Sequence, residues 1–130
     1  MHWSSKYVGL EFSETMRCYD LVRLVLKAER QIDLPDYADI SAEDAVRVSD
    51  ALGAPSTDAL PWAEVALSDA RPFDVVVMLR RRSREPGHVG ILTDPRHVLH
   101  IEKVTQSVVV PLSHFSVSSR IIGFRRHRCL

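Results

Sequence analysis

One cysteine and two histidines have the residue types that a thiol nucleophile and its base require. Cys18 opens an amphipathic segment, and His88 and His100 lie in two β-like segments further along the chain. A thiol attacks a carbonyl when a base takes its proton, and that base needs a third polar group to hold its ring. Cys18, His88 and His100 fill these roles in that order. The set predicts a cysteine hydrolase.

The apolar residues from Cys18 onward follow the period of an α-helix that ends by Leu34-Pro35. Ser13 and Thr15 are candidate caps, so Cys18 falls in the first turn. Unpaired amides and the helix dipole favour an anion there, and we expect the thiol pKa to be lowered. A lone cysteine on an apolar helix face is more often simply a core residue. The positions that carry the pattern are Cys18, Leu21, Val22, Val25 and Leu26.

Beyond the first predicted helix, the residue pattern changes from helical to strand-like. A second helix is predicted from Ser41 to about Leu52, and Pro61-Trp62 indicates a connector or a further helical turn. Short β-branched runs follow, which predict an antiparallel sheet and an α+β fold with the first helix packed on it. We expect one domain over residues 1–130. The predicted strands are Asp74 to Leu79, His88 to Leu92, Val98 to Val104, Val108 to Pro111 and Ile121 to Phe124.

The geometry of the two histidines depends on the connection between their strands. Side chains alternate along a strand, so His88 and His100 share a face only if the connecting loop, around Thr93 to His97, contains an odd number of residues. A metal site that uses His88, His97 and His100 is the alternative, but a convincing fourth ligand is missing.

Composition limits the other function classes. Seventeen basic residues balance seventeen acidic ones, so no net field favours nucleic acid. No apolar run approaches the roughly 20 residues of a membrane span, and the N-terminus has no signal-peptide pattern. Cys18 and Cys129 form no disulfide framework, and Cys129 is most simply a bystander thiol near the chain end.

The order of several segments resembles the NlpC/P60 cysteine peptidases, in particular the compact versions associated with phage tail tips. Arg17 to Arg23 is similar to the nucleophile helix, and His88 to Ile91 is similar to the histidine strand. Leu99-His100 resembles the third-residue strand, and Arg120 to His127 the closing strand of the phage-tail branch. Two further segments complete the resemblance: Tyr7-Val8-Gly9 before the nucleophile, and Asp74 to Val77 after a turn that is usually Pro-Gly-Asp.

The resemblance implies a papain-like fold and hydrolysis of amides in peptidoglycan stem peptides, typically between D-γ-glutamyl and diaminopimelyl residues. Cys18 would attack, His88 would act as base and then acid, and His100 would orient His88. The Cys18 amide, helped by the Tyr7 hydroxyl, would stabilise the oxyanion. Arg17 stands where the family commonly has Asp, and it could tune the groove toward an acidic peptide. No metal or cofactor is required.

The phage-tail likeness implies other tail proteins as partners, and a location in the virion tail or in the bacterial cytoplasm before assembly. Two alternatives to the endopeptidase stay open. One is an inactive tail-assembly or interaction module, which Arg17 and the single Gly9 of a usually glycine-rich strip would suit. The other is a related thiol amidase or acyltransferase, because the same three residues serve any acyl transfer.

Overall fold

A computed structural model describes residues 2–34, 62–84 and 86–130 of the chain. In this part, one α-helix packs on one antiparallel sheet of six strands. The predicted α+β class is confirmed. The predicted helix at residues 41–52 lies outside the described residues, and the single domain over 1–130 stays a prediction. The elements are α1 (Cys18–Arg30), β1 (Trp62–Val65), β2 (Val75–Leu79), β3 (Pro86–Asp94), β4 (His97–Glu102), β5 (Thr105–Pro111) and β6 (Ile121–His127). In the sheet, the strands follow the order β1-β6-β2-β3-β4-β5.

Helix α1 begins at Cys18, as the apolar period predicts, but its N-cap is Arg17 rather than Ser13 or Thr15. The Arg17 N–H donates to Oδ2 of Asp20 at 2.9 Å, so Asp20 satisfies an amide that the helix leaves unpaired. The helix ends at Arg30, and Gln31 follows in a left-handed conformation with φ 55°. The apolar face of α1, which includes Leu21, Val22, Val25 and Leu26, is fully buried.

The sheet buries both of its faces. Val89 and Ile91 of β3 lie in the cluster that contains the apolar face of α1. Leu92 of β3 and Val98 of β4 lie in a second cluster, which also contains Val117. Because side chains alternate along a strand, His88 shares the second face with Leu92. The histidine pair therefore projects from the face opposite the one that carries the body of α1.

A β-bulge decides that both histidines share this face. Asp94 pairs with His97 around a two-residue turn, but the register shifts between Leu92 and Asp94, which leaves Thr93 as an extra residue. The next pair is Leu92 with Val98, so five residues separate these partners and the odd-number condition is met. Without the bulge, the parity of the pairing would send His88 and His100 to opposite faces.

Two predictions of secondary structure are wrong. Trp62 is not in a connector or a helical turn but begins β1, where Trp62 pairs with His127 of β6 and packs edge-on against its ring. The run from Val98 to Val104 is not one strand, because β4 ends at Glu102 and a turn leads into Thr105 of β5. A four-residue strand at a sheet edge carries too little alternation to be recognised from its sequence.

Phe73 adopts a left-handed φ of 75° in the turn that precedes β2. A side chain other than glycine is strained there. The ring is held by Trp3, which stacks on it at 4.6 Å between centroids, and by the Arg30 guanidinium at 5.4 Å. Aromatic packing therefore stabilises a conformation that glycine would adopt without strain.

Replacing Gly90 by Ala is predicted to destabilise the fold. A Cβ at Gly90 would lie 2.6 Å from Cγ2 of Val98, 2.9 Å from the Leu99 carbonyl oxygen and 3.1 Å from Cβ of His100. Such overpacking in a sheet costs about 1–3 kcal/mol, which urea unfolding measures. Gly123→Ala is the matched control, because its Cβ would meet only the flexible guanidinium end of Arg125. Equal stability of the two variants would contradict this packing.

Candidate active site

The central feature of the site is a hydrogen bond between two buried imidazoles. His88 Nε2 and His100 Nδ1 lie 2.9 Å apart, with the rings edge to face at 5.1 Å between centroids. Only 6% of His88 and 2% of His100 is exposed. The bond engages Nε2 of His88 and leaves its Nδ1 as the nitrogen that can serve as a base.

The roles of the four ring nitrogens follow from that assignment. If Nδ1 of His88 is to accept a proton, the neutral His88 ring must carry its hydrogen on Nε2 and donate it to His100. Nδ1 of His100 must then be unprotonated, with its hydrogen on Nε2. One tautomer of each ring therefore makes His88 a base that His100 orients.

Burial keeps both rings neutral. Desolvation lowers the pKa of His88 from 6.5 to about 3, against the opposing charge of Glu102, and the nearby His100 and Arg120 lower it further. Desolvation also lowers the pKa of His100. At neutral pH the pair is therefore uncharged, and an imidazolium forms only when a reaction delivers a proton.

Cys18 lies half-buried at the first position of α1, as predicted. The pairs that join β3 to β4 run from the turn to Ile91 with Leu99 and are not continued at Val89. The thiol lies at this break, near the backbone N–H of Val89, which is the residue after His88. The charge of Glu102 also acts on the thiol, which places the sulfur within electrostatic reach of the histidine face.

The predicted lowering of the thiol pKa is wrong. Burial raises the pKa of Cys18, and it outweighs the backbone N–H groups of Val89 and Tyr19, which favour the thiolate. The carboxylates of Asp20 and Glu102 raise it further. The uncharged forms of Cys18 and His88, a thiol and an imidazole, are therefore both favoured.

A nearly buried ion pair lies beside His100, and we did not predict it from the sequence. Oε1 of Glu102 lies 3.8 Å from Nδ1 of His100, and both Glu102 oxygens accept hydrogen bonds of 2.9 Å from Arg120. Glu102 could have been noticed, because it follows His100 by two residues and so shares its face. Arg120 lies in a 3-10 turn before β6 and carries no such periodic signal.

Tyr7 lies away from the thiol. Its hydroxyl donates to Oε2 of Glu29 at 2.6 Å, and burial followed by this bond raises the pKa of Tyr7 to about 12. Glu29 is near the C-terminal end of α1, roughly 16 Å along the axis from Cys18 at 1.5 Å per residue. The hydroxyl is therefore too far from the sulfur to contact an oxyanion formed there.

Arg17 is engaged in the helix cap. Its Nε donates to Oδ2 of Asp20 at 3.1 Å, in addition to the backbone bond, and 23% of the side chain is exposed. The arrangement keeps Arg17 next to Cys18 and compensates the Asp20 carboxylate. Its role toward an acidic peptide stays a prediction.

Among the described residues, one group of side chains could hold a metal ion, and each of its members already makes at least one hydrogen bond to another side chain. His88, His100 and Glu102 place ligand atoms within 4.8 Å of one another. The two imidazoles hydrogen-bond to each other, and Arg120 occupies both oxygens of Glu102. His97 does not join them, because its Nδ1 lies 3.0 Å from Asp94 on a half-exposed turn. The three-histidine metal set is therefore not assembled.

Replacing His88 by Gln is predicted to flatten the dependence of stability on pH. An unfolded imidazole titrates near pH 6.5, whereas the folded pKa is about 3. The stability contributed by neutral His88 is thus complete above pH 6.5 and is lost as the pH falls toward 3, with a limiting slope of about 1.4 kcal/mol per unit.

Urea unfolding between pH 6.5 and 5 measures this slope above the range where carboxylates titrate. The wild type is the reference, because His100 and His127, whose pKa values burial also lowers, contribute to the slope in both proteins. A wild-type slope in His88→Gln would contradict the burial of a neutral ring.

No protein-family model matches the chain, and no curated protein matches it. Among solved structures, the chain is similar to a Staphylococcus aureus Mu50 protein described as similar to a lipoprotein of the NLP/P60 family. The TM-score is 0.63 at 20% identity. The match covers 95% of this chain and 38% of that one, so the chain spans well under half of its neighbour. At this identity the likeness concerns the fold: the chain has the α+β architecture of an NLP/P60-family structure.

Proposed function

We propose that this chain is a cysteine hydrolase that cleaves an amide of bacterial cell-wall stem peptides. The observation that carries the proposal is the buried bond between Nε2 of His88 and Nδ1 of His100, which leaves the other His88 nitrogen to act as a base. Cys18 supplies the nucleophile at the first turn of α1. The fold shared with an NLP/P60-family structure supports the cell-wall substrate class.

The proposed acylation couples proton transfer to attack. Nδ1 of His88 takes the thiol proton as Sγ bonds to the carbonyl carbon, and the carbonyl oxygen becomes an oxyanion. The N–H of Cys18 has no partner within α1 and can donate to that oxyanion. The His88 imidazolium then gives its proton to the departing amine, and a thioester on Cys18 results.

Deacylation repeats the same chemistry with water. Nδ1 of His88 takes a proton from a water molecule as the water oxygen attacks the thioester carbon. His88 then gives that proton to Sγ of Cys18, which leaves as the free thiol. The product is a free carboxylate. His100 acts in both halves by accepting the Nε2 hydrogen of His88, which holds the ring in the productive tautomer.

The proposed scissile bond, biological setting and partners follow from the resemblance of the sequence to the NlpC/P60 cysteine peptidases. We propose a D-γ-glutamyl-diaminopimelyl bond as the scissile amide and a phage or prophage tail as the setting, with other tail proteins as partners.

Within the described residues, no helix is long and apolar enough to cross a membrane. A tail-assembly module without activity is the outcome to which failure of the experiments below would point.

Replacing Cys18 by Ala is predicted to abolish hydrolysis. Loss of the nucleophile should lower the rate by at least about a thousandfold, measured by mass spectrometry of stem-peptide fragments, while circular dichroism confirms folding. Cys129→Ala removes the exposed thiol and should keep full activity. A folded wild type that cleaves no stem peptide, across walls of different composition, would overturn the proposal.

Replacing His100 by Asn and by Leu separates orientation from packing. Asn retains an oxygen that can accept from Nε2 of His88, whereas Leu fills the space with no acceptor. We expect Asn to keep at least about tenfold more activity than Leu, with similar thermal stability. Equal activity of the two variants would show that His100 does not act by accepting this hydrogen bond.

A further inference from the structure

The Glu102–Arg120 pair is fixed on several sides. Nη1 and Nη2 of Arg120 each donate to one Glu102 oxygen at 2.9 Å. Nε also donates to the Leu79 carbonyl and Nη1 to the Ser116 carbonyl, both at 3.0 Å. Both charged side chains are nearly buried, at 12% and 11% exposure. A guanidinium with this many partners holds the carboxylate in one position.

With the Glu102 carboxylate in that position, Nδ1 of His100 is hydrogen-bonded to His88 rather than to Glu102. The nitrogen lies 2.9 Å from Nε2 of His88 but 3.8 Å from Oε1 of Glu102. A carboxylate is the stronger acceptor, and if it moved closer it would draw a hydrogen onto Nδ1 of His100. Nδ1 of His100 would then no longer accept from His88. His88 would have to carry its hydrogen on Nδ1, where it could not take a proton from a thiol.

We propose that Arg120 and Glu102 are positioning residues for the histidine pair. Arg120 holds the Glu102 carboxylate beyond hydrogen-bond distance of His100, which keeps His100 an acceptor for His88. The fixed negative charge of Glu102 stabilises the imidazolium that forms on His88. The rate effects of this inference rest on the proposed function, whereas the tautomer effect does not.

The charges around the pair support the second part of this role. Among the described groups that act on both histidines, Glu102 is the acidic one and favours their protonated forms. Arg120 opposes it on both rings, and His114 opposes it on His100. Burial disfavours the charge on Glu102, but the bonds from Arg120 and the nearby histidines together lower its pKa. The carboxylate therefore stays charged beside a ring that must become cationic during turnover.

The direct test is the tautomer of each ring, read from nitrogen-15 chemical shifts of the histidine side chains without substrate. In the wild type, His88 and His100 should both carry hydrogen on Nε2. In Arg120→Met, the released carboxylate should shift the His100 hydrogen to Nδ1. Arg96→Met makes the same change at an exposed site and should leave both tautomers as they are. Unchanged tautomers in folded Arg120→Met would overturn the proposal.

A double-mutant cycle tests the same idea through activity. Arg120→Met should lower kcat by at least about 100-fold with KM little changed, because the wrong tautomer affects the chemical step. The double variant Glu102→Met with Arg120→Met removes the competing acceptor as well. It should recover at least about tenfold relative to Arg120→Met. Glu102→Met completes the cycle, and losses that simply add would contradict the proposal.

Two further outcomes are distinguished: a variant that does not fold, and a wild type that does not cleave stem peptides. If Arg120→Met does not fold, Arg120→Lys keeps a cation at Glu102 but lacks the planar fork that donates to each oxygen from a separate nitrogen, and it should shift the His100 tautomer in part. A fully wild-type tautomer in Arg120→Lys would then count against the proposal. If the wild type cleaves no stem peptide but the tautomers shift as expected, the proposed function fails and the positioning role stands.

Discussion

The hydrogen bond between His88 and His100 is the interaction on which the site depends, and several unrelated parts of the fold are needed to make it. The extra residue Thr93 sets the parity that brings both rings to one face of the sheet. Gly90, between them on that face, has no side chain to keep β4 away. A single residue more or less in the β3–β4 connection would move one ring to the opposite face.

Burial gives the site its chemical character. Desolvation lowers the pKa of His88 and raises that of Cys18, so the uncharged form of each group is favoured. Such a thiol is less nucleophilic than a thiolate stabilised by an imidazolium. In the proposed mechanism, proton transfer to His88 therefore accompanies attack on the carbonyl. The negative charge of Glu102 would make that transfer easier because it acts on the imidazolium as it forms.

The sequence predicted the features that depend on local period and on spacing. The apolar face of α1 and the position of Cys18 follow from a helical repeat, and the sharing of a face by His88 and His100 follows from strand alternation once the loop parity is known. The direction of the Cys18 pKa shift could not be predicted in this way, because the position at the start of a helix favours the thiolate whereas burial in the folded protein disfavours it. The pairing of Glu102 with Arg120 could not be predicted either, since Arg120 is 18 residues away in a turn whose sequence has no periodic pattern.

The central claim is that Cys18, activated by His88, attacks a stem-peptide carbonyl. The most direct measurement uses a stem-peptide analogue with a chloromethyl ketone in place of the scissile amide, and peptide mapping by mass spectrometry after reaction. The account predicts one thioether per chain, at Cys18, formed at least about 100-fold more slowly in His88→Gln. Labelling at Cys129, no labelling of the folded chain, or equal rates in the two proteins would contradict it.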